Sequence, residues 1–202
     1  MARRSPDAAD TERPRSEQDS RELARQICLR QLSVRPRTRA ELAAALRKKG
    51  IPDEIANELL DRYDDVGIVD DGAFAQAWVA SRHHGRGLAG RALAGELRRK
   101  GVAAEQVDTA LEQLDAGTEE ATARALVARR LRTERQSARR DDAATLRRLV
   151  AMLARKGYPP GLAIRLVKEA LAADEISAEF ATEIDVDALV SAIDPSDDHH
   201  GE

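Results

Sequence analysis

Cationic side chains recur at one kind of place in this sequence. Arg47, Lys48 and Lys49 precede Gly50; Arg98, Arg99 and Lys100 precede Gly101; Arg155 and Lys156 precede Gly157. A further basic group lies in the run RALVARRLRTERQSARR, which carries Arg124, Arg129, Arg130, Arg132, Arg135, Arg139 and Arg140. Guanidinium and ammonium groups suit phosphate oxygens, which they can neutralise without reading base sequence. Cations in the last turn of a helix also stabilise the helix dipole. Either use fits any single cluster. Their repetition, together with a basic body, favours a phosphate-binding surface.

Other chemistry is hard to assemble. GRGLAG at Gly85–Gly90 matches the dinucleotide-binding pattern in letters, but it follows a helical pattern where that motif needs a strand. It reads as an interhelical loop. The sequence has no glycine-rich loop ending in Lys-Ser or Lys-Thr. Asp64, Asp65, Asp70 and Asp71 lack the spacing of a calcium loop and suit a helix end and a helix cap. His83–His84 and His199–His200 are adjacent pairs, which a helix splays about 100° apart, so neither offers two metal ligands on one face. Cys28 sits on an amphipathic helical pattern without a base nearby in sequence and reads as packing. No enzyme, cofactor or metal is expected.

The clusters need elements to hold them. Leu23, Ile27 and Leu32 predict a helix over about 20–33, which Pro36 ends. Thr38 and Glu41 form a capping box that opens a helix with Leu42 and Leu46 in register. Arg47, Lys48 and Lys49 fall in its last turn, and Gly50 is suited to the left-handed position that closes it. Pro52 is placed at the first position of the next helix, whose apolar face is Ile55, Leu59, Leu60 and Tyr63 and which Gly67 closes.

The same pattern recurs with glycine spacings of 51 and 56 residues. Leu42 and Leu46 correspond to Leu93 and Leu97, then to Leu149 and Leu153. Ile51 corresponds to Val102 and Tyr158, and Leu60 to Leu111 and Val167. A leading helix precedes each pair: about 71–82, capped by Asp70 or Asp71, in the second copy, and about 119–136, after Thr118, in the third. The fold class is therefore all-α, with three tandem three-helix repeats stacked into an elongated, curved array. The expected boundaries are a disordered polar tail over 1–19, repeats over 20–66, 67–116 and 117–173, and an acidic tail over 174–202. In that tail Phe180, Ile184, Leu189 and Ile193 could line a short helix.

Charged residues make up 34% of the 202 residues and aromatics 2%, which argues against a sheet protein and against base stacking as a main binding mode. The net charge of −3 hides an asymmetry. Residues 174–202 hold ten acidic residues and no Lys or Arg, which leaves 33 basic against 26 acidic residues, a net of +7, in 1–173. One cysteine excludes an intrachain disulfide. No apolar run approaches the ~20 residues needed to span a bilayer, and MARRSPDAAD has no apolar signal core. A cytoplasmic monomer is expected.

The segment VDDGAFAQAWVASRHHGRGLAGRALAGELRRKGV resembles the RecX family, regulators of the RecA recombinase. The matching residues are Asp70, Asp71, Phe74, Ala75, Trp78, Val79, Arg82, Gly87, Glu96, Leu97, Lys100 and Gly101. The resemblance spans about residues 21–172. It implies a non-enzymatic modulator, usually an inhibitor, in DNA repair, recombination and the SOS response. Its partners would be RecA recombinase and the RecA–DNA filament, with nucleic acid met through a basic surface. The candidate contact residues are Arg47, Lys48, Lys49, Arg82, Arg98, Arg99, Lys100, Arg129, Arg130, Arg132, Arg155 and Lys156. Two alternatives stay open: a sequence-independent DNA-binding protein acting without RecA, and a helical scaffold that touches no nucleic acid.

Overall fold

The computed structural model describes residues 16–134, 141–173 and 178–185. Every regular element among them is an α-helix. The order is α1 (Glu17–Val34), α2 (Arg39–Lys48), α3 (Asp53–Asp65), α4 (Asp71–Arg86), α5 (Gly90–Arg99), α6 (Ala104–Leu111), α7 (Ala116–Glu134), α8 (Asp142–Arg155), α9 (Pro160–Ala172) and α10 (Ala178–Glu183). Helices α1–α3, α4–α6 and α7–α9 are three consecutive three-helix repeats, and within each one every helix packs on the other two. The described residues up to Asp70 form one compact unit. Those from Asp71 onward form a second, which holds the second and third repeats.

Local sequence explains the helix ends. Thr38 accepts from the Glu41 amide at 3.1 Å while the Glu41 carboxylate accepts from the Thr38 amide at 3.3 Å, completing the expected capping box. Ser16 and Asp19 make a second capping box, so α1 starts earlier than hydrophobic periodicity suggests. Pro52 is the N-cap of α3 rather than its first residue; Asp53 and Glu54 fill the first turn, where carboxylates suit the dipole. Pro159 caps α9 likewise, and Pro160 takes the first helical position. Helix α7 also starts ahead of the predicted point. Asp115 accepts from the Thr118 amide at 2.8 Å and its hydroxyl at 2.7 Å, so Asp115 closes the end that Thr118 was expected to cap.

The repeated Leu–basic–Gly string folds the same way three times. Gly50, Gly101 and Gly157 have φ of 71°, 79° and 91°. Their amides donate to Arg47, Arg98 and Ala154 carbonyls, while the amides of Ile51, Val102 and Tyr158 reach back to Leu46, Leu97 and Leu153. This is the Schellman closure, in which a left-handed glycine lets two otherwise orphaned carbonyls be satisfied. The apolar residue after each glycine is thereby turned inward. Ile51, Val102 and Tyr158 are all buried, as are the six leucines of the repeat pattern.

Each repeat keeps its own core. The first centres on Leu42, Leu46 and Leu60, the second on Leu93, Leu97 and Val107, and the third on Leu149, Leu153 and Ile164. These are three separate apolar clusters. Leu111, the counterpart of Leu60 and Val167, is only partly buried. Cys28 packs in the first core, where burial pushes its thiol up to about 11. The third core extends into the acidic stretch: Ala181 and Ile184 are buried against it, and Lys168 donates to the Ile184 carbonyl at 2.8 Å. The Phe180 side chain, Leu189 and Ile193 lie outside the described residues.

Within the second unit, the α8–α9 turn presses on the start of α5. A Cβ added to Gly157 would stand 2.6 Å from the Ala92 amide nitrogen, closer than atoms approach. Gly50 has open space at the equivalent point. Gly50→Ala therefore pays only for left-handed strain, of order 1–2 kcal/mol, whereas Gly157→Ala adds a backbone collision. Chemical denaturation of the two variants should show the larger loss for Gly157→Ala; equal losses would mean that the turn does not press on α5.

Glu120 of α7 clamps α9. It accepts from Arg165 at 2.8 Å and from Arg124 at 2.8 Å, and these two guanidiniums, Arg165 foremost, hold its carboxyl at about 2 against an ordinary 4.5. A depressed folded-state value contributes stability that is full above pH 4.5 and lost as pH falls toward 2. Glu120→Gln should lower the melting temperature at pH 7, with the gap from the parent closing between pH 4.5 and 2. A gap that does not change with pH would show that the clamp is not ionic.

Candidate nucleic-acid interface

The Schellman turn dictates where each basic side chain goes. The C-cap residue is a lysine in all three repeats: Lys49, Lys100 and Lys156. The residue before it is Lys48, Arg99 or Arg155, and all three are exposed. In the second unit both C-cap lysines are turned onto the protein. The Lys156 ammonium donates to the carbonyl of Arg86, the last residue of α4, where a cation suits the helix dipole. Desolvation, then Arg129 and Arg86, lowers its pKa. Lys100 lies 4.4 Å from the centre of the Trp78 ring and 5.5 Å from that of Phe74.

Trp78 is the hub of a small cluster. Its ring stacks on Phe74 with centroids 5.5 Å apart, and the Arg82 guanidinium lies 4.1 Å from its centroid. Its indole nitrogen donates to Glu96 at 2.8 Å, and Glu96 also faces Arg82 at 3.7 Å. A tryptophan flanked by two cations gains about 0.5–2 kcal/mol per contact, more where water is excluded. Trp78 is half-buried at the edge of the second core, because its polar edge must reach Glu96. Arg82 and Glu96 are each about one-quarter exposed. Phe74, Trp78, Arg82, Glu96 and Lys100, spread over α4, α5 and the turn after it, are thus one physical group. The one-turn spacing of Phe74 and Trp78 was readable in sequence; the arrival of Lys100 and Glu96 was not.

The remaining cations are placed as follows. Arg47 lies 3.6 Å from Asp53 in the first unit, with Lys48 and Lys49 beside it on the surface. Arg98 is exposed on α5. Arg130 pairs with Glu134 at 2.9 Å, while Arg129 and Arg132 are exposed on the same helix. Arg124 is held by Glu120 and Glu169. Arg135, Arg139 and Arg140 lie outside the described residues.

The GRGLAG segment ends α4 and opens α5 within the second repeat, with no strand among the described residues, and the third repeat packs on it. Gly87 is left-handed, with φ of 61°. Tyr158 donates its hydroxyl to the Gly87 carbonyl at 3.1 Å, the Ala89 amide donates to the Lys156 carbonyl at 2.9 Å, and the Gly90 amide donates to Glu119. Burial, then the nearby Glu119, pushes the Tyr158 hydroxyl up to about 12. His83, buried, has Nδ1 at 2.9 Å from the Leu88 carbonyl and Nε2 at 2.9 Å from the Thr122 hydroxyl. The carbonyl can only accept, so Nδ1 carries a proton. The third repeat thus holds the end of α4, the α4–α5 loop and the start of α5 with five polar contacts, counting the Lys156–Arg86 bond. Nothing in the sequence pattern pointed to His83 or Tyr158 as partners of that loop.

Models of RecX three-helix domains match this chain, the first domain over residues 24–62 and the second over 70–111. The regulatory protein RecX of Streptomyces coelicolor is 60% identical over 153 residues, covering 76% of this chain and 80% of that protein. The chain belongs to the RecX family. The RecX of Thermobifida fusca is 54% identical, over 78% of this chain and 83% of its own length. A crystal structure of RecX from Lactobacillus salivarius superposes with a TM-score of 0.64 at 18% identity, over 75% of this chain and 97% of that one, so it speaks to the RecX fold. The motif residues that suggested the RecX family from sequence include the five that meet around Trp78.

Trp78 is the only tryptophan, so its emission reports on this cluster alone. Lys100→Ala should increase acrylamide quenching without loss of helical circular dichroism. Trp78→Ala should cost about 3 kcal/mol, the low end for removing a large aromatic. Unchanged quenching in Lys100→Ala would mean that the lysine does not cover the ring.

Proposed function

We propose that this chain is a non-enzymatic regulator of RecA recombinase that acts on the RecA–DNA filament, and that it does so as a cytoplasmic monomer. The observation that carries the reading is its 60% identity to a regulatory protein RecX over most of both chains. The mechanism follows from repetition. Three similar units, over 20–66, 67–116 and 117–173, can meet successive elements of a filament, and linked weak contacts multiply through effective concentration. Preference for one filament state then shifts RecA between active and inactive populations.

Nucleic acid enters through the basic body. The candidate contact residues are Arg47, Lys48 and Lys49 in the first unit and Arg82, Arg98, Arg99, Lys100, Arg129, Arg130, Arg132, Arg155 and Lys156 in the second. Eight of them divide into two roles. Arg98, Arg99, Arg129, Arg132 and Arg155, all exposed, would meet phosphates. Arg82, Lys100 and Lys156, engaged with Trp78 or the Arg86 carbonyl, hold the frame. The acidic stretch 174–202 would compete with phosphates for that body.

RecA ATPase activity on single-stranded DNA should fall as this protein is titrated in, with no effect on a DNA-independent ATPase. ATPase activity unchanged at saturating protein, with tight binding to naked DNA, would favour a DNA-binding protein that acts without RecA.

A further inference from the structure

Between α5 and the α8–α9 turn runs an open groove of about 550 Å³. Its floor is made of small residues: Ala92 and Gly95 of α5 face Ala154 and Gly157. Its edges carry Arg91, Arg99 and Arg155. All three arginines are exposed and none is in an ion pair among the described residues. Arg91, Gly95 and Arg99 stand at successive four-residue steps, one row on the helix, so the Cα atoms of Arg91 and Arg99 are about 12 Å apart along the axis, and the Arg99 guanidinium reaches back toward Gly95. Arg155 faces that row from the third repeat. It is the counterpart of Arg99 in the repeated string, and the grip on the α4–α5 loop brings the two together on one groove.

We propose that this groove is a track for the sugar-phosphate backbone of single-stranded nucleic acid, with Arg91, Arg99 and Arg155 as its phosphate ligands. The inference deepens the reading above by assigning its nucleic-acid contact to one place. Three planar guanidiniums suit phosphate oxygens bidentately. A floor without large side chains lets a backbone approach closely. The carboxylate in the groove, Glu96, does not oppose an anion strongly, since it is held by the Trp78 indole and faces Arg82. The gap between one helix and one turn admits a single strand, whereas a duplex would rest on its rim. An acidic peptide would want apolar pockets for its other side chains, and the groove offers little beyond Leu88 and the edge of Tyr158. Arg91 stands outside the repeated basic clusters, so sequence reading passed it over.

Gly95 supplies a clean test. A Cβ there would meet only the tip of Arg99, at 3.4 Å, so Gly95→Leu should fold and fill the groove. Fluorescence anisotropy with labelled oligo-dT and the full chain should show at least a tenfold loss for Gly95→Leu and for Arg91→Ala/Arg99→Ala, with helical circular dichroism unchanged. The double variant should also lower the slope of log affinity against log salt by about 1.4, at 0.7 per single-strand phosphate contact. Arg147→Ala, which removes one exposed charge from α8 outside the groove, should change affinity by less than about twofold. Equal losses for Arg147→Ala and Arg99→Ala, or parent-like binding by Gly95→Leu, would overturn the groove assignment while leaving RecA regulation standing. Displacement of oligo-dT by polyglutamate or by inorganic phosphate at equal charge concentration would overturn the strand reading. A parent that inhibits RecA yet binds no oligo-dT would overturn this proposal alone.

Discussion

A residue without a Cβ must stand where each repeat's second helix ends. The Schellman closure needs a left-handed backbone one residue past the C-cap, and Gly50, Gly101 and Gly157 supply it. Once the turn is fixed, its neighbours have no freedom of role. The following residue is driven into the core, the C-cap lysine is aimed along the protein surface, and the residue before it faces water. One backbone constraint therefore sets both the packing of each repeat and the direction of its cations.

At the third of these turns the constraint also joins repeats. Gly157 lies against Ala92 because it lacks a side chain, and the carbonyl of Lys156 and hydroxyl of Tyr158 then reach the α4–α5 loop. Buried backbone groups left without partners cost about 1–3 kcal/mol each, so the loop and the turn need one another. The groove edged by Arg91, Arg99 and Arg155 exists only because of that contact. In this part of the RecX fold, the stability of the joint and the presentation of charge are one property.

Much of this was legible in the sequence because it is local. The capping box of Thr38 and Glu41, the glycine closures and the leucine register each depend on residues within one turn, and each appears in the structure. Helix starts were read less well at α1 and α7, because Asp19 and Asp115 act through side-chain geometry that hydrophobic periodicity does not register. The basic clusters were visible as charge, but not their division of labour. Whether Lys156 meets phosphate or the Arg86 carbonyl depends on a residue 70 positions away. His83 and Tyr158 were missed for the same reason: Thr122 and Gly87, which they bond, come from another repeat. Arg91 was missed because periodic charge drew attention to helix ends, while the groove is made along a helix side.

The joint between the second and third repeats can be measured directly by hydrogen exchange. The Ala89 amide sits in an interhelical loop, where amides ordinarily exchange fast, yet it donates to Lys156 at 2.9 Å. The account predicts that Ala89 exchanges as slowly as Leu93, whose amide lies inside α5. Exchange of Ala89 at the rate of an open loop, with Leu93 still protected, would show that the third repeat does not grip the second and that the groove between them is not a fixed feature.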